Sequence, residues 1–251
     1  MNQQRLLTEC TPKAFSSILA NHIDHTYLKP TAQWSDIEKI CTEAIENGFV
    51  AICIPGFYVK QARDFLNKSE QGKKVKLATV VGFPLGYSTK ETKGFEALQA
   101  IMNGADEIDM VINIGQLKQG NTDVVLEEIK HVKHVCGDKE LKVIVECCYL
   151  TDEEIVTVTH VVKKAGADYI KTSTGFGSRG AAQTDIEIFR REEPSLKIKA
   201  AGGVRDAQTG LKYVVDFGVS RIGTSSGVEL CKQEKELHEG NVASEIKKGS
   251  Y

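Results

Sequence analysis

The chain has 251 residues, 41% hydrophobic and 26% charged, with a formal net charge of −2. That balance excludes the basic field that draws proteins onto nucleic acid, and no run of about 18 apolar residues is present to cross a membrane. The length suits one α/β barrel of about 250 residues, and no linker-like stretch divides residues 1–251, which read as a single domain.

In chain order, the opening MNQQRLLTEC lacks the charged-then-apolar pattern of a secretory signal. A short helix is expected near 12–20, covering the bottom of a barrel. Strands are predicted at roughly 22–26, 49–54, 76–82, 107–113, 142–148, 168–174, 197–202 and 221–225. Amphipathic helices fall between them at 35–47, 57–68, 89–102, 122–136, 152–165, 184–191 and 206–216. Ser35, Thr151 and Thr184 are expected as helix-capping residues with acidic neighbours in the first turn. Gly48, Gly104, Gly166 and Gly218 each precede a strand by a few residues, as a glycine just past a helix does. The intervals between them are about twice one βα unit. From about Glu229 the chain becomes a charged tail, 229–251, expected to be flexible and ending at Tyr251.

Eight parallel strands alternating with helices predict a single (β/α)8 TIM barrel. An open doubly wound sheet fits less well, because no G-x-G-x-x-G follows the first strand. The seven cysteines (Cys10, Cys41, Cys53, Cys136, Cys147, Cys148, Cys231) are odd in number and form no paired C-x2-C motifs. Free thiols in a reducing cytoplasm are expected, with no structural zinc, and Asn67-Lys68-Ser69 then carries no glycan. Cys53, at the end of an apolar run, reads as a buried structural thiol.

Barrel strands point alternate side chains inward, normally Val, Ile and Leu. Three strands depart from this near their C-terminal ends. Glu107, Asp109, Val111 and Asn113 share one face of the fourth, so Ile108, Met110 and Ile112 must pack on the helices. Tyr169, Lys171 and Ser173 share a face of the sixth, and Lys197 and Lys199 one of the seventh. A lysine inside a barrel must be paired or lose its charge. Two lysines on adjacent strands with a carboxylate on a third favour catalysis over a simple salt bridge. One ammonium depresses its neighbour's pKa, which leaves free amine to attack a carbonyl. Asp109 supplies the proton-transfer partner.

The loops after strands seven and eight read Ala201-Gly202-Gly203-Val204 and Gly223-Thr224-Ser225-Ser226-Gly227. Barrels hold phosphate there with backbone N–H groups and a helix N-terminus, and Gly175 is placed to contribute. A small phosphorylated carbonyl compound is the implied substrate. A different lysine-dependent sugar-phosphate enzyme and a binding-only sensor are the rival readings.

Asp24-His25-Thr26, Leu28-Lys29-Pro30, VVGFPLG (80–86), EIDMVINIG (107–115), KTSTGF (171–176), KAAGGVR (199–205) and RIGTSSG (221–227) together resemble the deoxyribose-phosphate aldolase family. The resemblance implies a class I aldolase that needs neither metal nor cofactor and cleaves 2-deoxyribose 5-phosphate. By motif, Lys171 becomes the Schiff-base lysine, Lys199 the lysine that perturbs it, and Asp109 the proton donor and acceptor. Gly202, Gly203, Ser225 and Ser226 would hold the phosphate, with Asp24, Thr26, Thr172 and Gly175 lining the pocket. Some relatives end in a tyrosine that assists proton abstraction, a role Tyr251 would take. A homodimer is also implied. Ala201 stands where many relatives have serine.

Overall fold

In the computed structural model, which describes residues 16–248 and side chains as far as residue 240, the apolar runs become eight parallel strands. They are β1 (Ile23–Thr26), β2 (Ala51–Ile54), β3 (Lys76–Val81), β4 (Glu107–Val111), β5 (Glu140–Ile144), β6 (Tyr169–Lys171), β7 (Lys197–Ala201) and β8 (Arg221–Thr224). The strands pair in sequence order, and β8 pairs back onto β1 with Asp24 beside Gly223, so the barrel closes without an edge. Between them run α1 (Trp34–Asn47), α2 (Val59–Leu66), α3 (Lys90–Met102), α4 (Ile114–Lys118), α5 (Thr122–Cys136), α6 (Asp152–Lys164), α7 (Gln183–Glu192), α8 (Ala207–Val215) and α9 (Gly227–Lys248).

The main core is the shell between barrel and helices. Ile108 and Met110 of β4 and Leu77 and Val81 of β3 belong to it, as do Ala97 of α3 and Ile129 and Val132 of α5. The alternation that puts Ile108 and Met110 outward is what sends Glu107 and Asp109 to the axis. Gly48 and Gly166 follow α1 and α6 at φ 67° and 78°, a left-handed conformation that glycine enters without a Cβ clash.

Several boundaries differ from expectation. β4 stops at Val111 because Asn113, expected to continue the strand, caps α4 instead: its Oδ1 accepts the Gln116 N–H at 3.1 Å. Helix α4 itself was not expected. Thr151 caps α6 as predicted, accepting the Glu154 N–H at 3.3 Å while Glu154 accepts the Thr151 N–H at 2.9 Å. Ser35 and Thr184 lie within the first turns rather than at the caps. There Asp36 and Asp185 accept the N–H groups of Gln33 and Ala182 at 2.9 and 3.3 Å. Near the expected first helix, the described residues form a short 3-10 turn, Leu19–His22, and 12–15 lie outside them.

The largest correction concerns the tail. Residues 227–248 form α9, which supplies the barrel's eighth helix. Its inner face buries Leu230 and Glu234. The Glu234 carboxylate accepts the N–H groups of Ile18 (2.7 Å) and Leu19 (3.2 Å) and the Ser17 hydroxyl (2.5 Å). An acidic residue that reads as solvated thus ties the last helix to the start of the barrel. Tyr251 lies outside the described residues.

Candidate active site

The parallel register sets Lys171 of β6 beside Lys199 of β7, and Lys199 beside Arg221 of β8. Across the barrel Asp109 of β4 lies beside Lys142 of β5. Their side chains point inward and meet Asp24 of β1 and Glu107 of β4 at the axis, all of them buried. Asp109 is the hub. Its Oδ2 accepts from Lys171 Nζ at 2.8 Å and Lys199 Nζ at 2.7 Å, and its Oδ1 accepts from Lys142 Nζ at 2.9 Å. Lys199 also donates to Asp24. Lys142 donates to Glu107 at 2.5 Å, and Arg221 reaches Asp24 and Glu107, each at 2.6 Å.

Four cations, Lys142, Lys171, Lys199 and Arg221, therefore face three carboxylates, Asp24, Glu107 and Asp109. The charges balance when one cation gives up its proton. Burial opposes charge on every member, and the partners decide each outcome. For Lys142, burial is outweighed by Asp109, Glu107 and Asp24, which hold its ammonium well above the usual range. For Lys199, burial is outweighed by Asp109 and Asp24, so it too stays charged. Arg221 is likewise held as a cation against burial by Asp24 and Glu107. Asp109 lies well below the usual carboxylate range because Lys142, Lys171 and Lys199 overcome its burial. Lys171 alone of the three lysines moves the other way. Burial lowers its pKa most and Lys199 lowers it further, while Asp109 only partly opposes them. The crowding cation foreseen from the sequence is thus the lesser cause, and desolvation the greater.

Above Lys171 opens a cavity of about 280 Å3 lined by Thr26, Gly175, Gly202, Gly203 and Ser225. Gly202 and Gly203 stand at φ 82° and 81°. A Cβ at Gly202 would lie 2.9 Å from Gly180 Cα, so that position requires glycine. Arg205 adds a cation to the lining and Phe176 an aromatic wall. Three assignments shift. Asp24 does not line the cavity, because it is wholly buried in the ion cluster. The Thr172 hydroxyl donates to Ala201 O at 3.2 Å and accepts its N–H at 3.1 Å, stitching β6 to β7 beneath the cavity. Ser226 lies outside the lining, with its N–H donated to Thr224 Oγ1 at 3.0 Å. Cys53 is buried on β2, where burial pushes its thiol up to about 11, as suits a structural thiol. A larger open groove of about 700 Å3, walled by Phe57, Tyr58, Phe83 and Phe95, holds none of the predicted site residues.

Lys142 and Arg221 escaped the sequence reading. Each sits at or near the first residue of a predicted strand, where a cation reads as solvated. Counting inward parity across all eight strands would have found both.

Residues 18–233 match the model of the DeoC/LacD family aldolases. A relative from Clostridium botulinum named deoxyribose-phosphate aldolase is 50% identical over 218 residues, covering 86% of this chain and 96% of its own. One of the same name from Thermococcus gammatolerans is 48% identical over 215 residues, covering 84% and 94%. Among solved structures, a tetrameric deoxyribose phosphate aldolase from Aeropyrum pernix superposes with a TM-score of 0.79 at 31% identity, covering 87% of this chain and 92% of that one. A barrel with lysines paired at its axis beneath a glycine-rimmed cavity accords with these matches, and the chain belongs to the DeoC/LacD family of aldolases.

Proposed function

We propose that the chain is a class I aldolase that reversibly cleaves 2-deoxyribose 5-phosphate to glyceraldehyde 3-phosphate and acetaldehyde, in deoxyribose phosphate breakdown. The observation that carries this is Lys171, a buried amine in the lining of the glycine-rimmed cavity, whose pKa is lowered while Lys199 and Lys142 around it stay charged. Neutral Lys171 attacks the C1 aldehyde of the open-chain sugar, and the resulting carbinolamine takes up a proton from solvent and loses water to give a protonated imine. Asp109, acting through a water molecule, takes the proton of the C3 hydroxyl as the C2–C3 bond breaks. The bonding pair moves into the iminium, giving an enamine on Lys171 and releasing glyceraldehyde 3-phosphate. Protonation at C2 and hydrolysis release acetaldehyde and restore the amine.

Lys199 keeps Lys171 poised and neutralises Asp109. Gly175, Gly202, Gly203 and Ser225 receive the phosphate, where peptide N–H groups and the N-terminus of a long helix favour an anion, and Ser226, its own N–H taken by Thr224, adds its hydroxyl from just outside the lining. Thr26 contacts the sugar, and Asp24 and Thr172 support the floor from below. Tyr251 assists protonation of the enamine. The imine acts as the electron sink, so the reaction calls for neither metal nor cofactor. The whole chain, 1–251, works as one domain, in the cytoplasm and as a homodimer. Phe95, Leu98 and Met102 leave an apolar line exposed on α3, with Phe57 beside it, which supports self-association. Among the described residues no helix is long and apolar enough to cross a membrane. The partner is a small phosphorylated sugar rather than nucleic acid.

Turnover of 2-deoxyribose 5-phosphate should exceed that of ribose 5-phosphate by about a hundredfold or more, because the 2-hydroxyl must enter the enclosed space beside Lys171. Equal rates on the two sugars would point to a different aldolase.

A further inference from the structure

Glu146 lies two residues beyond β5 and, among the described residues, is the one non-glycine with positive φ, at 54°. Side chains disfavour that region, and such strain persists where surrounding contacts hold it. The Glu146 side chain is buried and aimed at the loop after β6. Both of its carboxylate oxygens accept the Thr174 N–H at 3.2 Å, and Oε2 also accepts the Thr174 hydroxyl. That hydroxyl, its proton given to Glu146, accepts the Phe176 N–H at 3.0 Å.

The N–H groups on either side of Gly175 are therefore both taken up. Among the described residues the Gly175 N–H donates to no partner, and the space where a Cβ would sit is open. The loop is also held from behind. A Cβ on Gly177 would meet Cys148 Sγ at 2.5 Å and Glu146 Oε1 at 3.2 Å. The same loop leans on the opposite rim, where Ala181 N donates to Ala201 O at 3.1 Å and Gly202 O at 3.0 Å. Thr174, Gly175 and Phe176 all line the cavity, whereas Glu146 does not.

We propose that Glu146 is a positioning residue: acting through Thr174, it holds the loop after β6 so that the Gly175 peptide N–H is left to the substrate phosphate. A carboxylate cannot itself approach that phosphate, so its place is behind the loop, where it consumes the competing donors. This rests on the reading of the cavity as a sugar-phosphate site. Glu146 then governs phosphate affinity and not imine formation.

The test compares Glu146→Gln and Gly177→Ala with the parent protein on 2-deoxyribose 5-phosphate, on unphosphorylated 2-deoxyribose, and in borohydride trapping of acetaldehyde. Gln keeps the size but loses the charge that draws both Thr174 donors, and the alanine pushes on Glu146 from its other side. In either variant KM for the phosphorylated sugar should rise about tenfold, the ratio of kcat/KM for the two sugars should fall by the same factor, and acetaldehyde labelling should stay within about twofold. The proposal is overturned if the folded variants change both sugars equally, or if labelling falls as far as turnover. Failure of the parent protein to take up acetaldehyde would instead overturn the aldolase reading on which the proposal rests.

Discussion

Lys171 owes its depressed pKa first to burial and then to Lys199. Replacing Lys199 with Met removes one lowering influence and leaves Asp109 drawn more strongly to Lys171, so both changes raise the Lys171 pKa. The neutral fraction at pH 7 then falls about tenfold for each pH unit of the rise. Imine formation in Lys199→Met should be slow at neutral pH and recover as pH increases, a displacement that a rate profile of acetaldehyde trapping would read directly. An unmoved profile would remove Lys199 from this role. The sign for stability follows the same shift. Folded Lys171 loses its proton at a lower pH than in the unfolded chain, so between that value and the ordinary lysine range the unfolded state binds more protons. The contribution of Lys171 to stability therefore improves as pH rises through that window. Lys171, Lys199 and Asp109 were legible because polar residues at inward parity stand out on otherwise apolar strands. Lys142, a buried partner of both Glu107 and Asp109, was not, because the expected strand began at residue 142 rather than at the observed Glu140.

At the scale of elements, the amphipathic helices and β-branched strands were readable to within a few residues because their periods differ sharply. The misreadings have two causes, short-range caps that interrupt a regular pattern and side chains whose partners are remote in sequence. Asn113 leaves the strand to cap α4, and its N–H is also held by Glu128 of α5 at 2.9 Å. Glu234 makes α9 part of the barrel by gathering the Ser17, Ile18 and Leu19 donors more than 200 residues away. The Asn113 cap is a local contact, but no local pattern announces the contacts of Glu128 or Glu234. Glu234→Ala should leave the Ile18 and Leu19 N–H groups without their acceptor and destabilise the protein by roughly 1–3 kcal/mol. Amide exchange should quicken at residues 18–22 and along the start of α9 while β3 to β6 stay protected. Uniform acceleration over the whole barrel would contradict a local anchor.

For the molecule as a whole, the closed barrel turns one rule of alternation into a site. Each strand contributes its inward residues at a common level, and closure brings β1, β4, β5, β6, β7 and β8 to bear on one axis. The fold class could be read from alternating elements alone, whereas the ion cluster could not, since its seven members meet only when the barrel shuts. Closure also sets four cations against three carboxylates, and of the three lysines only Lys171 has its pKa lowered. The most direct measurement is intact and peptide mass spectrometry after borohydride reduction in the presence of acetaldehyde. One ethyl group on Lys171, absent in Lys171→Leu, is the predicted result. An ethyl group on Lys199 or Lys142, or one that persists in Lys171→Leu, would contradict it.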